Sequence, residues 1–204
     1  MSHKVESAYD GKFSDELFFE HEAYVTGCIF SAFSFLEATI NELFSDTAEN
    51  PDGFKELDKQ IRDLMAYMWK RKILPRSRTL EKYQIALILA QKKTFDKKIV
   101  PYKDVDLLRE LRNALVHYEP EWITTILEPE PEAITTQKLE KLLSGKFPLN
   151  PMMGENESFF PKRCLGHGCA KWAVNVSVKF VDDFFEKMGL TPPYNHIRSR
   201  LNTE

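Results

Sequence analysis

The segment Arg112-Asn113-Ala114-Leu115-Val116-His117-Tyr118 gathers side chains that can act together on a phosphodiester. A neutral imidazole at His117 can take a proton from a ribose 2′-hydroxyl or, once protonated, give one to a leaving oxygen. The guanidinium of Arg112 can hold phosphate oxygens and the charge that builds on them. The Asn113 amide can orient the phosphate or the imidazole. RNA cleavage is the chemistry that these residue types suit. The spacing means little by itself, because the chain has nine Arg and five His from which such a pair can arise by chance. A purely structural reading pairs Arg112 with Glu110 or Glu119 and sets His117 on helix carbonyls. On a regular helix, residues five apart point about 140° away from each other and sit ~7.5 Å apart along the axis. A shared phosphate then needs either a distorted helix end or two copies pooling their pairs across a two-fold axis.

Phosphate contacts outside that motif are expected from Trp69-Lys-Arg-Lys-Ile-Leu-Pro-Arg-Ser-Arg78. Lys70, Arg71, Lys72, Arg76 and Arg78 supply sequence-independent attraction, and Tyr118 joins them as a substrate contact. Trp69 can stack on a base, although a place in the core is favoured for it. The charge asymmetry is wider than this segment. Residues 70 to 103 carry eleven Lys or Arg against Glu81 and Asp96, a net of +9 in a chain whose total is −3. Residues 10 to 56 hold eleven acids and only Lys12 and Lys55. Such a distribution can steer an anion to one face, and the competing reading is a solvated charged surface.

Cys164-Leu-Gly-His167-Gly-Cys169 invites a zinc reading, with His196 or His21 as a fourth ligand. The spacing differs from paired zinc motifs, so a turn leading into a helix is preferred and no metal is expected. A nucleophilic thiol at Cys164 needs a depressed pKa, which Lys162, Arg163 and the helix start can encourage. No phosphate-cradling Gly loop and no Gly-x-Ser-x-Gly elbow is present, and no cofactor is expected.

The elements that must position these residues are helical. Val25, Ile29, Ala32, Leu36, Ile40 and Leu43 step by three or four and predict a long helix over 14–46, capped by Ser14. Further helices are expected over 54–69, 79–93, from 104 to about Tyr118, and 168–188, where Gly189 and Pro192-Pro193 stop the chain. Residues 119–163 are broken by six prolines and read as an ordered insertion or partner-facing loop, with a short helix over 136–144. No alternating strand stands out. The expected fold is all-α: one helical domain over 14–190, four to five main helices, and tails at 1–13 and 191–204.

Three stretches carry a resemblance to the HEPN superfamily of all-α domains. Residues 30–44, FSAFSFLEATINELF, resemble the opening helix of bacterial HEPN-like proteins. Leu111–Tyr118 resembles the family's Arg, four to six residues, His motif, with its polar residue after the Arg. Residues 168–180, GCAKWAVNVSVKF, resemble the closing helix. The resemblance covers most of 20–188 apart from the Pro-rich insertion. It implies a metal-independent endoribonuclease site in the cleft of a homodimer, with Arg112 and His117 catalytic and Asn113 auxiliary. It also implies a toxin–antitoxin or phage-defence effector, RNA as substrate, and an antitoxin or regulatory protein as a further partner. Some HEPN domains have lost catalysis, so a silent protein-interaction or RNA-binding module is the rival expectation.

Composition sets outer bounds. With 204 residues, 43% apolar and 29% charged, the chain can bury a core without disulfides or metal. The low, odd cysteine count (three) suits a reducing compartment. A polar start and no expected run of ~20 apolar residues give a cytoplasmic protein without membrane association as the expectation.

Overall fold

A computed structural model of the chain describes residues 1–9, 11, 14–50, 53–74, 77–117 and 136–201. The fold is all-helical, and no strand occurs among the described residues. The helices are α1 (Ser2–Ser7), α2 (Asp15–Glu49), α3 (Lys59–Lys70), α4 (Thr79–Leu89), α5 (Tyr102–Val116), α6 (Thr136–Leu143) and α7 (His167–Met188). A kinked turn, Phe159–Arg163, with Phe160 extended at φ −110° and ψ 136°, precedes α7, and a 3₁₀ helix, Pro193–Leu201, follows it.

Local chemistry sets the boundaries. The Ser14 hydroxyl accepts from the Leu17 N–H at 3.2 Å and starts α2. α3 begins at Lys59, five residues later than its periodicity suggests. Asp58 caps it by accepting from the Gln60 N–H at 2.7 Å, and Phe54 sits in a turn at φ +49°. α4 stops at Leu89, short of the expected Lys93. Gln91 takes the left-handed conformation at φ +54°, and the Lys92 N–H closes back on the Leu87 carbonyl at 2.8 Å. α7 ends with the same closure at Gly189, where φ is +73° and Leu190 bonds the Phe185 carbonyl.

The chain divides into two compact units. The first comprises Met1–Phe33 and Leu107–Val174, the second Ser34–Asp106 and Asn175–Glu204. In the first, Val25, Ile29, Leu108, Leu111, Leu139 and Ala173 are wholly buried. The segment before α7 is held close by two glycines: a Cβ on Gly166 would lie 2.8 Å from the Asn150 Cα, and Gly168 is crowded by Pro148. Asn150 is buried and bonds three backbone groups there, those of Leu165, Met152 and Arg163. Residues 2–7 of the expected N-terminal tail form α1, which is tied into this unit by Glu6.

The second unit has an aromatic centre. Tyr83 packs edge-on against Phe180 and Phe184 at 4.9 and 4.8 Å, and its hydroxyl donates to the Leu36 carbonyl at 2.8 Å. Lys82 is also buried and reaches the Asn41 side chain at 2.9 Å. Of the expected C-terminal tail, the 3₁₀ helix docks through Tyr194 and Arg198, both bonded to Asp182.

α2 has an 18-residue window of mean hydropathy 1.4, long and apolar enough by length and composition to cross a membrane. The sequence expectation of no such stretch missed this window, because scattered polar residues interrupt the apolar run. Its aliphatic stripe is buried within the fold: Val25, Ile29, Leu36 and Ile40 are all at 0% exposure.

Burial pushes the Asp182 carboxyl up, but hydrogen bonds from Arg198 and Tyr194 outweigh it and hold the carboxyl below its ordinary value. The stabilisation from this group is therefore complete above the unfolded carboxyl's pKa and is lost as pH falls through the lower folded value. Asp182→Asn should destabilise the protein by about 1 kcal/mol at neutral pH, given the half-exposed partner. It should also flatten the loss of stability below about pH 4. Thermal melts of both proteins from acid to neutral pH test this, and parallel profiles would contradict it.

Candidate active site

α5 carries its apolar residues Val105, Leu108 and Leu111 into the core and leaves Arg112 half-buried beside them. The guanidinium lies over the Phe33 ring, with Cζ 5.8 Å from the centroid. Its Nη1 donates to the Asn113 Oδ1 at 3.1 Å. Glu110, a partner the structural reading offered, is taken by Arg109 at 2.5 Å instead. Glu119 lies outside the described residues. Arg112 thus has an aromatic floor and an amide brace, and no carboxylate pairs with it among the described residues.

His117 follows the last residue of α5 and its side chain is exposed. Its N–H donates to the Asn113 carbonyl at 2.9 Å, the ordinary bond of a helix still regular at that point. The helix end is therefore undistorted, and the five-residue offset between Arg112 and His117 persists. Arg112 and Asn113 are brought together, and the His117 ring joins neither of them through any contact among the described residues. Tyr118 lies outside the described residues.

The basic segment is presented at two helix ends. Lys70 closes α3, and Arg71 and Lys72 follow it exposed, with the Arg71 Cζ 5.5 Å from the Tyr67 ring centroid. Lys72 is left-handed at φ +55°, so it closes α3 and points the chain onward. Arg78 is exposed and precedes α4, its N–H donating to Glu81 at 3.3 Å. Arg76 lies outside the described residues. Trp69 is half-buried.

Two of the three cysteines sit in the core, and Cys28 is half-buried. Cys164 and Cys169 are buried, and burial pushes the Cys164 thiol up to about 12 and raises that of Cys169 as well. The basic neighbours do not overcome desolvation, which removes the nucleophilic reading of Cys164. Among the described residues, no group of three or more His, Cys, Asp or Glu is placed to hold a metal.

His167 belongs to a polar cluster that the sequence reading missed. Glu6 accepts from the buried His21 Nε2 at 2.8 Å and from the His167 N–H at 2.5 Å. His167 Nδ1 lies 3.2 Å from the Ser2 hydroxyl, and its ring meets His3 edge-on at 4.9 Å. Burial lowers the His167 pKa. One sequence signal for this cluster existed: His21 stands four residues before Val25 and eight before Ile29, on the buried stripe of α2, where it needs a partner. Phe33 was missed as the floor of Arg112, being 79 positions distant in sequence.

No protein-family model matches the chain, and no curated protein or solved structure is significantly similar to it.

Glu6→Ala should cost about 1–3 kcal/mol, because the buried His21 loses its partner along with the His167 N–H. Denaturant unfolding measures this, and an unchanged midpoint would show that α1 contributes nothing to the first unit.

Proposed function

We propose that the chain is a metal-independent endoribonuclease of HEPN type that acts as a homodimer, as a toxin–antitoxin or phage-defence effector. The observation that carries this reading is Arg112, a guanidinium braced by Asn113 over Phe33 and free of any carboxylate among the described residues. A cation placed so is ready for an anion from outside the chain. The exposed His117 on the same helix end supplies an imidazole for the proton transfers.

The regular helix end favours a composite site over one built by a single chain. Two α5 ends facing one another across a two-fold axis would present two guanidiniums and two imidazoles to one cleft. In the reaction, the 2′-oxygen attacks phosphorus and the bond from phosphorus to the 5′-oxygen breaks. One imidazole takes the 2′-hydroxyl proton, and the partner subunit's imidazolium gives a proton to the departing 5′-oxygen. The products are a 2′,3′-cyclic phosphate and a 5′-hydroxyl. Arg112 holds the charge that grows on the non-bridging oxygens. An antitoxin or regulatory protein is the further partner of such an effector.

The purified chain should sediment as a dimer at micromolar concentration and cut RNA in the presence of chelator. The rate should pass through a maximum with pH, because the two imidazoles must hold opposite protonation states. His117→Ala should abolish cutting while staying folded and dimeric. Arg112→Ala should lower turnover more than binding. A substrate with deoxyribose at the scissile position should be inert. Undiminished cleavage by His117→Ala would sink the assignment, and the silent binding module would take its place.

The basic helix end makes a separate prediction about affinity. Reversing Lys70, Arg71 and Lys72 to Glu should weaken RNA binding and flatten its dependence on salt, because fewer counterions are released. Fluorescence anisotropy with labelled RNA at several salt concentrations measures both. Unchanged affinity would leave this segment as a solvated surface.

A further inference from the structure

The loop joining α4 to α5 is built from a fixed frame and an unusual exposed surface. Residues 90–101 read AQKKTFDKKIVP, and Lys103 follows at the start of α5. The frame is Phe95. Its N–H and its carbonyl are both bonded to the Gln84 amide of α4, each at 2.9 Å. Its ring packs 4.7 Å from Phe180, with the Lys187 ammonium 5.2 Å from its centroid. Phe95 is 6% exposed, and the middle of the loop is therefore pinned.

Around that anchor, Lys92, Lys93, Lys97, Lys98 and Lys103 are all exposed, and no carboxylate pairs with any of them among the described residues. Asp96 is the one acid of the loop, and its carboxylate is turned to the loop's own backbone, accepting from the Lys98 N–H at 2.8 Å. Two consecutive aliphatics, Ile99 and Val100, stand 59% and 58% exposed in the same segment. The chain thus spends core-type side chains on solvent in the middle of its densest positive charge.

Three kinds of partner meet positive charge, and they differ in what they ask of the rest of the surface. Single-stranded RNA asks for an exposed aromatic to stack on, and the loop's only aromatic is buried while its aliphatics would stay idle. A protein interface is depleted in lysine, whereas here every basic residue is a lysine. An anionic bilayer uses both features, drawing lysines to its headgroups and taking aliphatic side chains into the boundary below them. We propose that the α4–α5 loop is a peripheral docking surface for an anionic lipid bilayer, with the five lysines held at the headgroups and Ile99 and Val100 inserted among them. This surface is independent of the endoribonuclease reading and stands or falls separately from it.

Vesicle co-sedimentation of the full chain tests the proposal. The protein should pellet with phosphatidylcholine vesicles that contain phosphatidylserine, should not pellet with phosphatidylcholine alone, and should be released by salt. Each lysine near an anionic surface contributes about fivefold in affinity, so Lys97→Glu with Lys98→Glu should weaken binding at least ~25-fold. Ile99→Ser with Val100→Ser should weaken it several-fold at low salt, which charge attraction alone does not predict. Circular dichroism checks that each variant is folded, and Lys92→Glu with Lys93→Glu serves in place of any that is not. Absence of pelleting with either vesicle would overturn the proposal. Equal pelleting with both would overturn it too, as would full binding by the aliphatic variant. If polyuridylate binding falls in the lysine variants while vesicles are ignored, the loop is an RNA surface instead.

Discussion

A single helix of 35 residues governs what the rest of the chain must do. α2 is about 52 Å long, and its stripe Val25, Ile29, Ala32, Leu36, Ile40 and Leu43 is buried throughout. No other single described helix is long enough to cover it, so the covering is divided. Toward its N-terminus, α2 is engaged at His21 by Glu6, at Cys28 by the Ala170 carbonyl and at Phe33 by Arg112. Toward its C-terminus, it is engaged at Leu36 by Tyr83 and at Asn41 by Lys82. The polar contacts matter because each places a side chain that is costly to bury and each meets a group that lowers the cost. Arg112 is one of them: the helix that organises the core also supplies the floor of the candidate site.

The main helices were legible because burial imprints a period on sequence. The stripes of α2, α5 and α7 give those elements directly, and Ser14 and Gly189 mark two ends by residue type. Other ends were written in conformations that residue type does not announce. Gln91 and Lys72 close α4 and α3 in the left-handed region usually left to glycine, and a reading by propensity runs past the first of them. The kinked turn Phe159–Arg163 was hidden for a related reason, since its sequence, Phe-Phe-Pro-Lys-Arg, has no helical period to detect.

The site divides along the same line. Arg112, Asn113 and His117 are adjacent in sequence, so their types and spacing could be read together. Phe33 and Glu6 act across 79 and 161 positions, on Arg112 and His167 respectively, and only tertiary packing brings such pairs together. Charge behaves similarly. Residues 70–103 look like one positive block, yet Lys82 leaves it for the interior and Asp96 accepts from the loop's own backbone instead of pairing with a lysine. Apart from Arg78 before α4, the exposed remainder among the described residues falls into two groups, a helix end at 70–72 and a pinned loop at 92–103, which present different chemistry.

The histidines give the sharpest discrimination between structural and chemical roles. Proton transfer needs an imidazole whose nitrogens are not already committed, within reach of an exchanging group. His21 is buried and committed to Glu6; His167 is set between Ser2 and His3, and burial disfavours its charged form. His3 lies against the His167 ring, and His196 Nδ1 rests 3.0 Å from the Pro193 carbonyl. His117 alone among the five is exposed with neither ring nitrogen engaged among the described residues. It also stands five positions from Arg112, which the fold braces with an amide and an aromatic ring and, unlike Arg198 with its Asp182 partner, leaves without a carboxylate among the described residues. A site built for structure would be expected to consume both groups in local pairs, as it does with Arg109 and Glu110. Leaving the imidazole open while fixing the guanidinium is the arrangement that a phosphate and a proton would use.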